Sequence, residues 1–543
     1  MVAVAGEAIS QEISAESSVE PVVLGPSELE QRGAIVGAID IQISNVFATE
    51  LPEEDRALFR LANQLHITTR PDIIRQQLLL KSGASFSLRL LQESERILRS
   101  NRYLNDAEIV PVRYQDGVVD LQVRTRDVWT FKPGITFTRS GGSNTRGFEV
   151  QESNLLGCGK EVTVARRSSV DRTAVEYRYH DPRVLGSWNR FVGSYSSNSD
   201  GRRRFTSLQR PFYALDTRWA AGANALDWQR TDQRYSLGAV VDEFRHHEQR
   251  VDLTGGWSAG LRDGWVRRIT FGGSYEHDRF TATDTLFSAA ALPLDRKLVY
   301  PFIGFGLFED DFEERRNQDQ IERTEDFYTG TNLQGRIGRS TGSFGADRSA
   351  WLWSLNGGTA FEWQDRNHTL VATSSASGRF ESGATRNLLA SADANYYWRV
   401  ADRQLLFASL RGALQKNRDP EKQLLLGGDS GLRGYPLRYQ EGNSQALFTL
   451  EHRVFTEYYL FRLFHLGGAV FFDVGRTWGR ASVTHPSIVN TNQGLLKDVG
   501  VGLRFGSSRS AFGNMIHVDL AFPLDGDTSI KRTQFLIETK KGF

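Results

Sequence analysis

The stretch WLWSLNGGTAFEW, residues 351–363, repeats its apolar side chains every second residue and carries aromatic rings at both of its ends. In an extended strand such residues share one face, and the polar and small residues between them occupy the other face. An apolar face with aromatic rings at both edges is typical of a strand that crosses a membrane. We therefore expect four rings to face outward toward lipid: Trp351, Trp353, Phe361 and Trp363.

The same two-residue period continues from about residue 130 to the C-terminus, for example over residues 499–505 and 518–524. The repeating segments are roughly 8–13 residues long, which suits a tilted crossing of a bilayer. Between 16 and 20 such segments can be distinguished, and we predict an all-β membrane protein with a 16-stranded antiparallel β-barrel over residues 130–543. A soluble β-sandwich or propeller also alternates, but it rarely places aromatic rings at both strand ends in so many segments.

Composition narrows the possible functions. Lys and Arg total 66 against 65 for Asp and Glu, so the basic excess of a nucleic-acid-binding protein is missing. No stretch approaches the roughly 18 consecutive apolar residues of a membrane helix. The single cysteine, Cys158, excludes an internal disulfide, and the ten histidines show no metal-ligand spacing. We expect no cofactor, no metal and no nucleic-acid partner.

Residues 33–129 have the pattern of one small α+β domain. Isoleucines alternate over residues 35–43, leucines at positions 58, 61 and 65 share a helical face, and a second helix is expected after Ser87. Between them, Thr69 and Pro71 suit the start of a helix that Gly83 can end. A hairpin closes the domain, because alternating strands flank an Asp-Gly turn at residues 116–117.

Residues 1–32 are acidic, with no basic residue before Arg32, and we expect them to form a flexible leader. Residues 1–20 lack the basic and apolar regions of a signal peptide, although Ala3-Val4-Ala5 matches the tail of a cleavage site. The favoured interpretation is that a signal was removed or that the chain starts late.

The stretch GGDSGLRGYPLRYQEGN, residues 427–443, closely resembles the sixth extracellular loop of the BamA/TamA superfamily of outer-membrane assembly and translocation barrels. Its core is the tripeptide Arg433-Gly434-Tyr435. In the family this loop folds back into the barrel lumen. The resemblance therefore implies an inward-folded loop here, with Arg433 as its reaching side chain.

The partner motif of the family, F-x-D-x-G, corresponds to Phe471, Asp473 and Gly475. The resemblance implies that the loop arginine meets this aspartate. Alternation along the strand places the three residues on one face, and lipid accepts a charge only at high cost, so Asp473 should face the lumen. A guanidinium beside it would form a charge-assisted, often bidentate, pair.

Other segments extend the resemblance along the chain. Residues 68–129 resemble a POTRA domain, a periplasmic module that binds polypeptides by strand addition, and residues 125–129 (TRDVW) resemble its junction with the barrel. The terminal Phe543 is similar to the C-terminal signal of outer-membrane barrels. These likenesses imply an outer-membrane protein with its N-terminal domain in the periplasm.

Three further stretches are interpreted more simply. The GDSG sequence at residues 428–431 mimics a serine-protease motif, but no matching histidine motif precedes Ser430, so we expect no enzyme. The highly charged residues 309–326 should form a solvated extracellular loop. The basic residues 202–204 are expected to face water rather than the phosphates of lipopolysaccharide.

The favoured function is the assembly or translocation of unfolded outer-membrane or secreted polypeptides, with outer-membrane lipids and lipopolysaccharide as the surroundings of the barrel. The POTRA-like domain would bind clients at an open sheet edge. Two alternatives stay open: two-partner secretion of one dedicated exoprotein, and a passive channel or surface antigen.

Overall fold

The computed structural model describes residues 24–284, 292–479, 494–507, 509, 515–526, 528 and 530–540. Its N-terminal domain is a three-stranded sheet with four helices, and the rest of the chain is a closed β-barrel. In chain order the domain contains α1 (Pro26–Gln31), β1 (Ile35–Ser44), α2 (Ala57–Leu65), α3 (Pro71–Arg75), α4 (Leu88–Arg99), β2 (Leu104–Gln115) and β3 (Val118–Asp127).

The sheet order is β1-β3-β2, with β1 parallel and β2 antiparallel to the central β3. Helix α4 buries Leu91 and Leu98, which are seven residues apart and lie on one helical face. These leucines pack with Val119 and Leu121 of β3 in a single core. The predicted strand, second helix and hairpin are therefore all present.

Two sequence predictions for this domain are wrong. Residues 26–31 form a helix whose Leu29 is fully buried in the domain core, so a flexible leader does not extend to residue 32. The helix expected between Thr69 and Gly83 ends at Arg75, because Leu78 and Leu80 alternate into the core and break the helical period. Residues 1–23 lie outside the described residues.

The barrel formed by the described residues has 20 strands rather than the predicted 16. Six short strands of 8–10 residues lie between residues 131 and 210, where the sequence could not separate the two arms of a hairpin from one longer segment. They are β4 (Phe131–Ser140), β5 (Ser143–Glu152), β6 (Glu161–Ser168), β7 (Thr173–Asp181), β8 (Arg190–Asn198) and β9 (Gly201–Arg210).

The other fourteen strands are longer on average, and each pairs antiparallel with its neighbours in the barrel. They are β10 (Trp219–Ser236), β11 (Ala239–Arg262), β12 (Trp265–Ala282), β13 (Arg296–Glu309), β16 (Asn332–Ser340), β17 (Ala350–Trp363), β18 (His368–Glu381), β19 (Ala384–Ala401), β20 (Gln404–Lys416), β23 (Ser444–Leu460), β24 (Phe464–Trp478), β25 (Leu496–Gly506), β26 (Met515–Pro523) and β27 (Gln534–Lys540). Strand β27 closes the barrel against β4.

The outward faces follow the sequence pattern. On β17, Trp351, Phe361 and Trp363 are each more than 40% exposed, whereas Glu362 lies in the opposite phase and forms an ion pair inside the barrel with Arg315. No helix among the described residues combines the length and the hydrophobicity needed to cross a bilayer.

Residues 310–331 contain a short hairpin, β14 (Phe312–Arg315) with β15 (Glu325–Tyr328), inserted between β13 and β16. It lies at the end of the barrel that adjoins the N-terminal domain, here called the proximal end; the opposite end is the distal end. The prediction of a solvated extracellular loop for residues 309–326 is therefore wrong. Several of its charges pair with groups of the lumen wall and of the N-terminal domain.

Candidate functional site: the lumenal loop and its partners

The loop between β20 and β23 begins at the distal end and folds into the barrel. A small two-stranded sheet, β21 (Leu424–Leu426) with β22 (Gln440–Gly442), forms its base. Three apolar residues of the loop, Leu426, Leu432 and Tyr435, are completely buried. They pack with Leu447 and Leu496 of the barrel wall. Burial of these side chains holds the loop inside the lumen.

Arg433 reaches the wall of the lumen and meets Asp473 in a bidentate pair. Its Nε lies 2.7 Å from Oδ2 and its Nη2 lies 2.9 Å from Oδ1 of that carboxylate. Nη1 donates to Oε1 of Glu451 at 2.7 Å, and the guanidinium stacks 3.4 Å from the ring centroid of Phe471. Arg433 is 5% exposed and Asp473 is 0% exposed, so the pair is desolvated. The structure thus brings together the residues that the sequence motifs predicted.

The two residues after Arg433 bind the neighbouring strand β25 and the turn after β26. The backbone N–H of Gly434 donates to Oδ2 of Asp498 at 3.0 Å, and a Cβ at Gly434 would lie only 2.6 Å from the Asp498 Cβ. The hydroxyl of Tyr435 donates to the carbonyl of Lys497 at 2.7 Å and lies 3.1 Å from the carbonyl of Asp525. Only glycine fits between the arginine and the tyrosine, which explains the tripeptide.

Gly475 serves a similar purpose on β24. A Cβ at this position would lie 3.1 Å from side-chain atoms of both Leu426 and Leu447. The wall is therefore kept flat where the base of the loop lies against it. Phe543, the third element of the motif set, lies outside the described residues.

Sequence reasoning missed Glu451, Thr449 and Asp498. Thr449 donates to Oδ1 of Asp473 at 2.8 Å, and Glu451 is 5% exposed. Both residues, together with Arg453, fall in the inward phase of β23. A glutamate and an arginine two residues apart in the middle of a membrane strand were a usable signal, because lipid would not accept them.

The ion-pair network continues from the loop to the inserted hairpin. Oε2 of Glu451 accepts from Nε of Arg453 at 3.0 Å, and Nη1 of Arg453 lies 3.2 Å from both the Gln318 carbonyl and Oδ1 of Asp319. Beside them, Ile321 is buried against Leu405 and other wall residues. One row of charged side chains therefore links the loop to the inserted hairpin. The loop supplies Arg433 and the hairpin supplies Asp319. The wall residues of the row are Asp473, Glu451 and Arg453.

The same hairpin binds the N-terminal domain. Arg99 of α4 forms a bidentate pair with Asp326, at 2.9 Å and 2.5 Å, and contacts Glu314 at 2.7 Å. The Arg96 guanidinium lies 4.4 Å from the ring centroid of Phe312. A buried joint fixes the domain to the barrel nearby, because Nδ2 of Asn154, in the turn after β5, donates to the Thr69 hydroxyl at 2.8 Å, and that hydroxyl donates to Asp127 at 2.8 Å.

The edges of the small sheet differ in their availability. At β2, Nη1 of Arg99 donates to the Ala107 carbonyl at 3.1 Å and the Ile109 N–H donates to Glu95 at 2.6 Å, so side chains cap the edge. Burial raises the pKa of Glu95 to about 7. On β1 beyond Ile39, none of the described residues hydrogen-bonds to the outer edge of the backbone.

The junction between the first and last strands is the least regular contact of the barrel. Among the described residues, β27 and β4 share one register pair, Ile537 with Arg139, whereas every other neighbouring pair extends over at least seven. The lumenal loop contacts this region as well, because the Ser140 hydroxyl donates to the Gly428 carbonyl at 3.0 Å. The seam therefore depends less on backbone hydrogen bonds than the rest of the wall.

Ser430 is part of a turn, because its hydroxyl accepts from the Gly427 N–H at 2.7 Å and donates to the Gly427 carbonyl at 3.1 Å. Within the described ranges, no group of three or more His, Cys, Asp or Glu side chains is arranged to hold a metal ion.

A closed barrel with outward aromatic rings and a charged, loop-filled lumen defines the class of outer-membrane β-barrels. The Omp85 superfamily domain matches residues 154–539, so the chain belongs to the Omp85 superfamily, whose barrels act in insertion and translocation at the outer membrane. A comparison with curated proteins gave no match.

The solved structures that this chain is similar to include two CdiB proteins and one BamA. CdiB from Acinetobacter baumannii is 14% identical to this chain, with a TM-score of 0.44. The similarity covers 93% of this chain and 74% of the CdiB chain. BamA from Haemophilus ducreyi lacking POTRA domains 1–3 is 12% identical, with a TM-score of 0.38, and the similarity covers 92% of this chain and 84% of the BamA chain. CdiB from Escherichia coli is 12% identical, with a TM-score of 0.37, and the similarity covers 98% of this chain and 93% of the CdiB chain.

Proposed function

We propose that this protein handles unfolded polypeptide clients at the outer membrane, inserting them into the membrane or translocating them across it without catalysing a chemical reaction. The N-terminal domain acts in the periplasm as a single POTRA-like module. The observation that carries the proposal is the buried Arg433–Asp473 pair, which holds a loop of 27 residues, counted from 417 through 443, inside the lumen.

A passive channel has no need for a loop held in its lumen by a desolvated ion pair. Such a pair is expensive to form and, once broken on one side, costs about 3–5 kcal/mol. The hairpin adds a second obstruction from the proximal end, and both obstructions bind the same Glu451–Arg453 couple. This arrangement suits a barrel whose lumen or seam opens only when a client is engaged.

Client capture is proposed at the free part of β1. Strand addition needs backbone N–H and C=O groups that are not already paired. Residues 40–44 of β1 offer such groups, whereas the middle of β2 is capped by α4 side chains. The captured segment would then lie at the proximal mouth, with lipid and lipopolysaccharide surrounding the outer face of the barrel.

Depletion of the protein followed by a quantitative census of outer-membrane and secreted proteins tests the proposal. A broad loss of barrel proteins indicates insertion, and loss of one exoprotein indicates two-partner secretion; both support client handling. An unchanged census, with the protein confirmed absent, would contradict it and leave the passive channel or surface antigen.

A further inference from the structure

A cavity of about 650 Å³ lies at the proximal mouth of the lumen, between helix α4 and the turns that follow β7 and β9. We call it the mouth cavity. Its walls combine guanidinium groups with aromatic rings, and the residues that matter here are Arg183, Arg190, Arg268, Trp188, Phe212 and Tyr213.

The mouth cavity carries an excess of positive charge. Five arginines line it, and two of them, Arg96 and Arg99, face carboxylates of the inserted hairpin. The other three have no carboxylate within ion-pair distance among the described residues. The two carboxylates in the lining are already engaged, Glu93 by Arg89 and Asp326 by Arg99. Five arginines less two carboxylates leave three positive charges.

Arg183 is the one of these three arginines that is buried. It is 9% exposed, and its Nη1 has no hydrogen-bond acceptor among the described residues. The neighbouring carboxylate of Asp181 accepts instead from the Arg183 backbone N–H at 2.9 Å and from Nζ of Lys160 at 3.1 Å. Burial lowers the pKa of the Arg183 guanidinium. A buried cation without a counter-ion is unfavourable, so an anion entering the cavity would be stabilised.

The aromatic rings define what the anion is attached to. Trp188 stacks on Tyr213 with ring centroids 3.8 Å apart, and the Arg183 guanidinium lies 3.2 Å from the Trp188 centroid. Arg268 lies 4.6 Å from the ring centroid of Phe212. Flat rings beside a guanidinium fork suit a carboxylate that is followed or preceded by an apolar or aromatic side chain.

The position of the cavity favours a polypeptide over a lipid. Arg268 falls in the inward phase of β12, the phase of the fully buried Val266 and Asp278, and therefore faces the lumen. A headgroup in the surrounding bilayer cannot reach this face, whereas a chain entering from the proximal end must pass it.

We propose that the mouth cavity binds the carboxylate of an acidic, aromatic-containing polypeptide segment as it enters the lumen. This inference rests on the proposed function, because it assigns the chemistry of the client. Arg183, Arg190 and Arg268 supply the charge, and the Trp188–Tyr213 stack supplies the apolar contact.

Calorimetric titration of the purified full chain in detergent tests the inference. The probe is a blocked pentapeptide with two glutamates flanking a phenylalanine, compared with the same peptide carrying glutamines. The acidic peptide should bind more tightly, and Arg183→Gln should weaken it about tenfold or more, since a hydrogen bond to a charged group contributes about 1.5–3 kcal/mol. Arg336→Gln is the matched control, because Arg336 also faces the lumen and stacks on a ring, that of Phe302.

Folding of each variant is checked by its heat-modifiable mobility, and Arg190→Gln, at an exposed position, replaces Arg183→Gln if that variant does not fold. Equal binding of the two peptides, or equal losses in Arg183→Gln and Arg336→Gln, would overturn the inference. So would tighter Arg183-dependent binding of inorganic phosphate or glycerophosphoethanolamine. A negative calorimetric result would contradict the mouth-cavity inference without changing the result of the depletion census. The two proposals can therefore be contradicted separately.

Discussion

At the scale of single residues, Arg433 determines how the loop is held. Its guanidinium donates three hydrogen bonds, two to Asp473 and one to Glu451, while its flat face covers Phe471. An ammonium group could not reproduce this planar fork. The sequence motifs identified the arginine and the aspartate, but Glu451 became visible as a partner only when the register of β23 against β24 was known.

Removal of either partner should release the loop. Arg433→Ala leaves Asp473 buried without its counter-ion, at a cost of about 3–5 kcal/mol, and Asp473→Ala should have the same effect. Arg433→Lys should also be impaired. Protease sensitivity of the loop and client export would be measured, and the double mutant should be little worse than either single mutant. Wild-type behaviour of Arg433→Ala, or strictly additive losses, would contradict the pairing.

Gly434 is expected to tolerate no side chain. In Gly434→Ala the new Cβ would lie 2.6 Å from the Cβ of Asp498, so the loop must shift and lose the bond from the Gly434 N–H. Overpacking of this kind costs about 1–3 kcal/mol, and loop protease sensitivity should increase. Gly412→Ala is the control, because the nearest atom to its Cβ is 3.9 Å away. Equal sensitivity of both variants would remove the steric argument.

At the scale of elements, the inserted hairpin was the main error of the sequence interpretation. Its charge density is typical of a solvated loop, and no local signal shows that the partners are Arg99, Arg453 and Glu362, which lie far away in the sequence. Long-range ion pairs of this kind leave no periodic pattern. The two-residue alternation, in contrast, predicted the strands and the outward rings, because each residue's side is fixed locally.

Replacement of residues 317–323 by a flexible Gly-Ser segment should partly open the lumen. The replacement removes the buried Ile321 and the contacts of Arg453 with Gln318 and Asp319. Single-channel conductance in planar bilayers should rise above that of the wild type. Unchanged conductance in a variant with wild-type heat modifiability would show that the hairpin does not obstruct the lumen.

The cap on the β2 edge should respond to pH. Burial raises the pKa of Glu95 to about 7, above its ordinary value of 4.5, so folding favours its neutral form. The resulting stabilisation is present below about pH 4.5 and is lost as the pH rises through about 7. The protection of the β2 amides against hydrogen exchange, corrected for intrinsic rates, should decrease as the pH rises over this range. In Glu95→Gln this loss should disappear; an unchanged pH slope in that variant would contradict the assignment.

At the scale of the whole molecule, the barrel, the distal loop, the proximal hairpin and the N-terminal domain form one connected system. Class and domain order could be predicted from the sequence, because they depend on periodicity and on short motifs. The strand number could not, since short neighbouring hairpins and single long segments have the same alternation. The convergence of loop and hairpin on Glu451 and Arg453 depends on closure of the barrel, which brings distant strands to one lumen.

The central claim is that a polypeptide client engages the free edge of β1, and site-specific photo-crosslinking in cells tests it most directly. A photoreactive residue at Gln42, on the exposed face of that strand, is compared with one at Glu108, which is also exposed but lies beside the capped edge of β2. We predict crosslinks to unfolded polypeptide from Gln42 and few from Glu108. Absence of polypeptide crosslinks from Gln42, in a protein that restores the depleted strain, would contradict the account.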